Sequence, residues 1–396
     1  MKYRIDPRSG NKLSALGFGC MRFSRGLNTK IDIDKAENLI MSAIDRGVNY
    51  FDTGYVYAGS EQALGEALRR NAGAREKIHI ATKLPYSQCK SYDDFDRIFG
   101  EQLGRLHTEG IDYYLMHNMT CTDDWVRVRG LGIEEWIAAK KAEGRIGRIG
   151  FSFHGLSHEF MSLIDAYDWD FCMIQYNYMN ENYQAGRKGL VRAHEKGLPV
   201  MVMEPLLGGK LAVGLPKRVI KLFNDDDSSL SPAARSLRWL WDHEEVTVVL
   251  SGMNSMEQLD DNIQTAQNAE PGMMSHGEAE VISQAVELFK EAYKIPCTEC
   301  NYCLPCPQGV NIPGSFAAYN VSHVAGFIAG MTLYMTSTRG IDPEKSTGGR
   351  KCIKCGICSK RCPQGIDVVE SLEKVLKRME PFWLNAGIKL ARRFMK

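Results

Sequence analysis

Short apolar runs rich in β-branched and aromatic residues alternate with longer stretches whose apolar positions recur every three or four residues, from the first turn of the chain to about residue 270. The short runs fall at residues 14–18, 50–53, 78–83, 113–117, 149–153, 172–176, 200–203 and 247–250. Runs this continuous suit strands buried on both faces of a parallel sheet, and the amphipathic stretches near 34–45, 61–70 and 257–267 suit helices that cover it. Eight such units predict an α/β fold, a TIM (β/α)8 barrel, with residues 2–13 as a hairpin turning at Arg8-Ser9-Gly10-Asn11 and plugging its bottom. One more amphipathic helix, 278–294, ends at Ile295-Pro296, because proline disfavours helical backbone in the residue before it.

The pattern therefore divides the chain into a barrel (1–277), a connecting helix and linker (278–296), a small, mainly helical domain (297–370) and a tail (371–396). A length of 396 residues fits that division, since a barrel takes about 250 residues. Net charge of +1 offers no nucleic-acid footprint. The first ten residues are polar and charged, without the apolar core of a signal peptide, and Cys20, Cys89, Cys121 and Cys172 show no disulfide framework. Both features predict a reducing, cytoplasmic setting. Residues 316–335 are uncharged but include Asn320, Ser322, His323 and two glycines, which predicts a packed helix rather than a membrane span.

Polar groups end the predicted strands one after another: Asp52, Lys83, His117, Ser152 with His154, Gln175 with Asn177, and Glu204. Any one of them alone reads as a solvated loop residue or a core-edge ion pair. In a barrel, however, the carboxyl ends of the strands converge on one mouth, and recurrence there reads as a site.

The cysteines supply a second chemistry. Eight of the twelve lie in two runs, Cys297, Cys300, Cys303, Cys306 before Pro307, and Cys352, Cys355, Cys358, Cys362 before Pro363. The second run, CxxCxxCxxxCP, has the two-cluster ferredoxin spacing, in which three close thiolates hold one 4Fe-4S cube and the fourth reaches the neighbouring cube. The first run is one residue shorter before its proline. Structural zinc, the alternative, has no use for a third closely spaced cysteine or the trailing proline.

Four segments, FDTGYVYAGSEQALGEAL (51–68), ATKLP (81–85), IDYYLMHN (111–118) and IGFS (149–152), resemble the aldo/keto reductases in order along the barrel. The resemblance implies a catalytic tetrad of Asp52, Tyr57, Lys83 and His117 acting on a small carbonyl or alcohol substrate. A phenol has an ordinary pKa near 10, so Lys83, held by Asp52, is expected to lower it and let Tyr57 serve as proton donor or acceptor, with His117 orienting the carbonyl oxygen. The same resemblance implies that Ser152 and Gln175 bind a carboxamide or ring edge. Gly208, Ser251, Gly252 and Asn262 are then candidates for the cofactor phosphate. Met203-Glu204 stands where the family usually carries a stacking aromatic, and the 250–262 segment lacks the usual cations for a ribose phosphate. Either NAD(P) or a flavin (FMN) is therefore left open.

Barrel plus cysteine runs resembles the iron-sulfur subgroup of this family. That implies an oxidoreductase with two 4Fe-4S clusters coupling one-electron transfer to carbonyl chemistry, served by a ferredoxin-type or other electron carrier. It also implies cross-ligation: Cys297, Cys300, Cys303 and Cys362 on one cube, Cys352, Cys355, Cys358 and Cys306 on the other. Two other readings stay open, a nicotinamide-dependent reductase with purely structural clusters and a ligand-binding redox sensor. In the tail, Lys377, Arg378, Lys389, Arg392, Arg393 and Lys396 interleave with Phe382, Trp383, Ile388, Leu390 and Phe394. This predicts a basic amphipathic helix, packed on its own protein or meeting an acidic carrier or a membrane surface.

Overall fold

The computed structural model describes residues 1–26, 29–324, 326–338 and 346–380. It resolves into two compact units, Met1–Leu206 with Leu230–Ala279, and Leu207–Ser229 with Glu280–Lys396.

In the first unit a hairpin of β1 (Tyr3–Ile5) and β2 (Lys12–Ser14) precedes eight strands, β3 (Leu16–Gly19), β4 (Tyr50–Asp52), β5 (His79–Leu84), β6 (Ile111–Met119), β7 (Ile146–Phe153), β8 (Phe171–Gln175), β9 (Val200–Met203) and β10 (Val246–Ser251). The eight close into a barrel in which β10 pairs in parallel with β3, so the expected fold is present and each expected strand is found within a few residues. The hairpin closes the amino-terminal end. Leu13 joins the inner layer, the Tyr113 hydroxyl donates to Asp6 Oδ2 (2.8 Å), and Asn11 Nδ2 donates to that same hydroxyl (3.1 Å).

Successive side chains of a strand point to opposite faces. Tyr50, Ala81, Leu115 and Met173 pack with one another in the inner layer, whereas Phe51, Ile80, Met116 and Ile174 pack in the larger core shared with the helices. Each apolar side chain buried this way contributes roughly 1.5–3 kcal/mol. The same alternation carries Asp52, Lys83, His117 and Gln175, each two residues beyond an inner-layer residue, onto the inward face at the carboxyl end.

The second unit holds the helices Ile312–Val324, Phe327–Ser337 and Val368–Met379 around a core that includes Ile295, Ile312, Phe316, Tyr334, Leu372 and Val375. The stretch 316–335, expected as one packed helix, lies across two helices. Gly326, with φ 98°, stands at the junction, and a Cβ on Gly330 would lie 2.3 Å from Ser322 Cβ, so the two pack too closely for any larger residue there. Among the described residues no helix is long and apolar enough to cross a membrane. The tail expected to be basic and amphipathic lies, from Pro381 onward, outside the described residues.

Candidate active site and cluster cavities

The loop that carries Tyr57 is pinned from below. Thr53 Oγ1 and Ser60 Oγ share a hydrogen bond of 2.7 Å, and Ser60 Oγ also donates to the Cys20 carbonyl (2.9 Å). Gly54 makes room for the phenol, since a Cβ there would sit 3.1 Å from the Tyr57 ring. Above the ring, Lys83 Nζ stands 4.9 Å from its centroid. The Lys83 ammonium, 1 % exposed, donates to both Asp52 oxygens at 2.7 Å and to the Thr53 carbonyl, which commits its three protons. The His117 imidazole meets the Tyr57 ring edge-on, with centroids 5.7 Å apart. All four tetrad residues thus come together at the mouth.

Burial raises the Asp52 carboxyl, and the Lys83 ammonium opposes the rise. Burial, the Asp52 carboxylate and Glu204 push the Tyr57 phenol above its ordinary value. This direction is opposite to the one expected from the sequence. The lysine that was expected to lower it is saturated by Asp52 and Thr53, which leaves burial and the two carboxylates to disfavour phenolate. Burial first, then Lys83 and His154, hold His117 well below 6.5, and burial holds His154 at about 4. Both imidazoles are therefore neutral at neutral pH.

A histidine depressed in the folded state takes up its proton first in the unfolded chain. Barrel stability is accordingly full above the unfolded value near 6.5 and is lost as pH falls from there toward about 4, by at most about 1.4 kcal/mol per pH unit for each such residue. Urea unfolding between pH 7 and 5 should show a shallower loss for His154→Asn than for the natural protein. Equal slopes would contradict the assignment.

At the end of β8, Gln175 is fully buried with both carboxamide atoms unpartnered, a donor and an acceptor left for a ligand. Ser152 Oγ accepts the Asn118 backbone N–H (2.8 Å), and Asn118 itself has φ 64°. Gly155 lies against the Thr120 carbonyl, 1.8 Å from where its Cβ would be, so the loop after β7 tolerates no side chain there. Beyond β10, Asn262 Nδ2 donates to Ser251 Oγ (2.8 Å). The exposed Gly252 lies next to the Arg22 stem, whose Cβ and Cδ are 3.5 Å from the position of a Cβ. Arg22 thus brings a cationic side chain beside the 250–262 segment, which carries no Lys or Arg of its own. It follows β3, which neighbours β10 only because the barrel closes. Gly208 falls in the second unit, in a turn where Leu207, Gly208 and Gly209 have φ of 48°, 70° and 98°.

In the second unit the eight cysteines ring two cavities. One, of about 320 Å³ counting its open mouth, is lined by Cys297, Cys300, Cys303 and Cys362. The other, of about 290 Å³, is lined by Cys306, Cys352, Cys355 and Cys358. Each set thus draws three thiols from one run and one from the other. The two runs also share a backbone. Glu299 and Lys354 have φ of 57° and 58°, Asn301 and Gly356 67° and 73°, and Gly309 and Gly365, each closing a Cys-Pro-Gln-Gly turn, 68° and 61°. These left-handed residues turn backbone N–H groups toward sulfur: Glu299 N donates to Cys297 Sγ and Lys354 N to Cys352 Sγ, both at 3.4 Å. Lys210, from the 207–229 segment, donates to the Cys297 carbonyl. Among the described residues no three His, Cys, Asp or Glu side chains converge as ligands of a single ion. Four soft donors around each of two cavities fit an iron-sulfur cube in each.

Comparison with known proteins agrees with this geometry. Residues 15–271 match the aldo/keto reductase family and residues 296–366 a 4Fe-4S dicluster domain. The solved holo form of an aldo-keto reductase from Bacillus halodurans superposes with a TM-score of 0.59 at 26% identity, over 72% of this chain and 96% of that one. The chain is 26% identical to an uncharacterized oxidoreductase, YrpG, of Bacillus subtilis over 67% of its own length and 91% of that protein. It is 32% identical to morphine 6-dehydrogenase of Pseudomonas putida, but over only 45% of that enzyme.

Proposed function

The chain belongs to the aldo/keto reductase family, as an oxidoreductase with a 4Fe-4S dicluster domain, and on that premise we propose that it interconverts a small carbonyl compound and its alcohol at the barrel mouth, coupled to single-electron transfer in the second unit. The observation that carries the proposal is the Asp52-bound Lys83 ammonium standing 4.9 Å over the Tyr57 ring, beside a buried, neutral His117.

In the reducing direction the protonated Tyr57 phenol gives its proton to the carbonyl oxygen. The phenolate left behind faces Lys83, whose charge Asp52 holds in place, and the neutral His117 imidazole donates a hydrogen bond that orients the same oxygen. Nicotinamide or flavin, when bound, supplies the hydride. Gln175 offers one donor and one acceptor to the carboxamide or ring edge of that group, and Arg22 beside Gly252 offers a cation to its phosphate. The 4Fe-4S clusters, when bound, store and pass single electrons, one held by Cys297, Cys300, Cys303 and Cys362 and one by Cys306, Cys352, Cys355 and Cys358. No disulfide joins the cysteines among the described residues, which suits a reducing cytoplasm.

Anaerobic purification, with iron and sulfide counted and bound cofactor released by acid, tests this reading. About eight irons per chain are expected. Released flavin would make the barrel a flavin site, its absence would leave nicotinamide, and zinc in place of iron would sink the electron-transfer half.

A further inference from the structure

The two cysteine cavities differ in their surroundings. Around the first, Phe316 and Ile366 are buried and the Lys210 ammonium is bonded to the Cys297 carbonyl. Around the second, Cys355 is exposed, and Ile353 and Ile357 stand 61 % and 38 % exposed at its edge. Large aliphatic side chains that exposed are a cost unless something covers them.

Charge surrounds this apolar tip. The stretch from Arg350 to Arg361 carries Arg350, Lys351, Lys354, Lys360 and Arg361 and no acidic residue. Arg350 pairs with Glu380 and Lys354 with Glu373. Lys351, Lys360 and Arg361, all exposed, make no ion pair among the described residues. An apolar centre inside a rim of unpaired like charges is the anatomy of a steered, transient protein interface.

We propose that the face around Ile353 and Ile357 docks an acidic one-electron carrier protein, so that electrons enter the second unit through the cavity of Cys306, Cys352, Cys355 and Cys358. This rests on the iron-sulfur part of the function proposed above. In each encounter the reduced carrier loses one electron and the cluster in that cavity gains it; no bond or proton changes hands. The dock is this loop face, not the basic tail.

The test uses the anaerobically purified full chain and, as probe, a chemically reduced, small acidic 2Fe-2S ferredoxin, whose reoxidation is followed by stopped flow. The rate constant should fall about tenfold or more between low and moderate salt. The triple variant K351E/K360E/R361E should lower the low-salt rate by a similar factor and lose most of the salt dependence, while its iron content and reduction by dithionite stay as in the natural protein. Should charge reversal disturb assembly, the neutral K351Q/K360Q/R361Q variant must give an intermediate rate. Full iron with unchanged ferredoxin rates would overturn the docking face alone, and absence of iron would overturn the cluster reading with it. Loss of binding to phosphatidylglycerol vesicles by the variant, with the ferredoxin rate untouched, would assign the face to an anionic membrane surface and overturn the carrier.

Discussion

Tyr57→Phe should lower carbonyl reduction by a hundredfold or more, the usual magnitude for losing a positioned proton donor, while leaving the fold unchanged. The ring stays. Its contacts with Gly54 below and with Lys83, 4.9 Å above its centroid, do not involve the hydroxyl. That makes Tyr57 a cleaner probe than its neighbours: Lys83→Met would leave Asp52 buried without its cation, at a cost of about 3–5 kcal/mol that confounds chemistry with stability. The raised phenol also separates the two directions of reaction. Tyr57 remains protonated through the neutral range, so reduction should be flat between pH 7 and 9, whereas alcohol oxidation, which needs the phenolate as acceptor, should climb with pH. Steady-state kinetics in both directions check this. A Tyr57→Phe enzyme within several-fold of the natural rate would remove the residue from proton transfer and favour the ligand-binding sensor.

The barrel was legible because each strand is buried on both faces, so its apolar run stands out whatever its neighbours. Asp52, Lys83 and His117 were legible for a related reason, since a strand's period of two carries a terminal polar residue inward if the core residue two before it points inward. Tyr57's direction of shift was not. It depends on how fully Lys83 is consumed by Asp52 and the Thr53 carbonyl, and on the Glu204 carboxylate from the far side of the barrel. Arg22 escaped because only closure of β10 onto β3 brings it beside Gly252. The grouping of 207–229 with the C-terminal segment has no local signature either. The repeated Cys-Pro-Gln-Gly turn was written in the chain all along, but counting cysteines passes over it; Gly309 and Gly365, both left-handed, supply the signal.

Stripping iron from the second unit should melt it and spare the barrel. Its buried core is small, and Cys297 and Cys358 are themselves members of it. Ile312 lines both cavities, Phe316 and Val368 line one, and Leu372 the other, so these core side chains pack around the space where the clusters would sit. Without the clusters, nothing would fill the space between helices Ile312–Val324 and Val368–Met379 and the cysteine loops, and a core of this size rarely supplies more than about 3–5 kcal/mol. The barrel core shares none of these residues. Anaerobic calorimetry should therefore show two transitions in the holo chain, and oxidative chelation should abolish one of them with a loss of helical circular dichroism, the barrel transition staying within a few degrees. An unchanged pair of transitions would mean that the helices hold themselves. Cross-ligation sharpens the expectation, because Cys306 lines the cavity of Cys352, Cys355 and Cys358 although it belongs to the other run. Cys306→Ser should thus alter the paramagnetic resonance signal of the cluster carried by the second run and leave the other signal intact, and the reverse outcome would untie the swap.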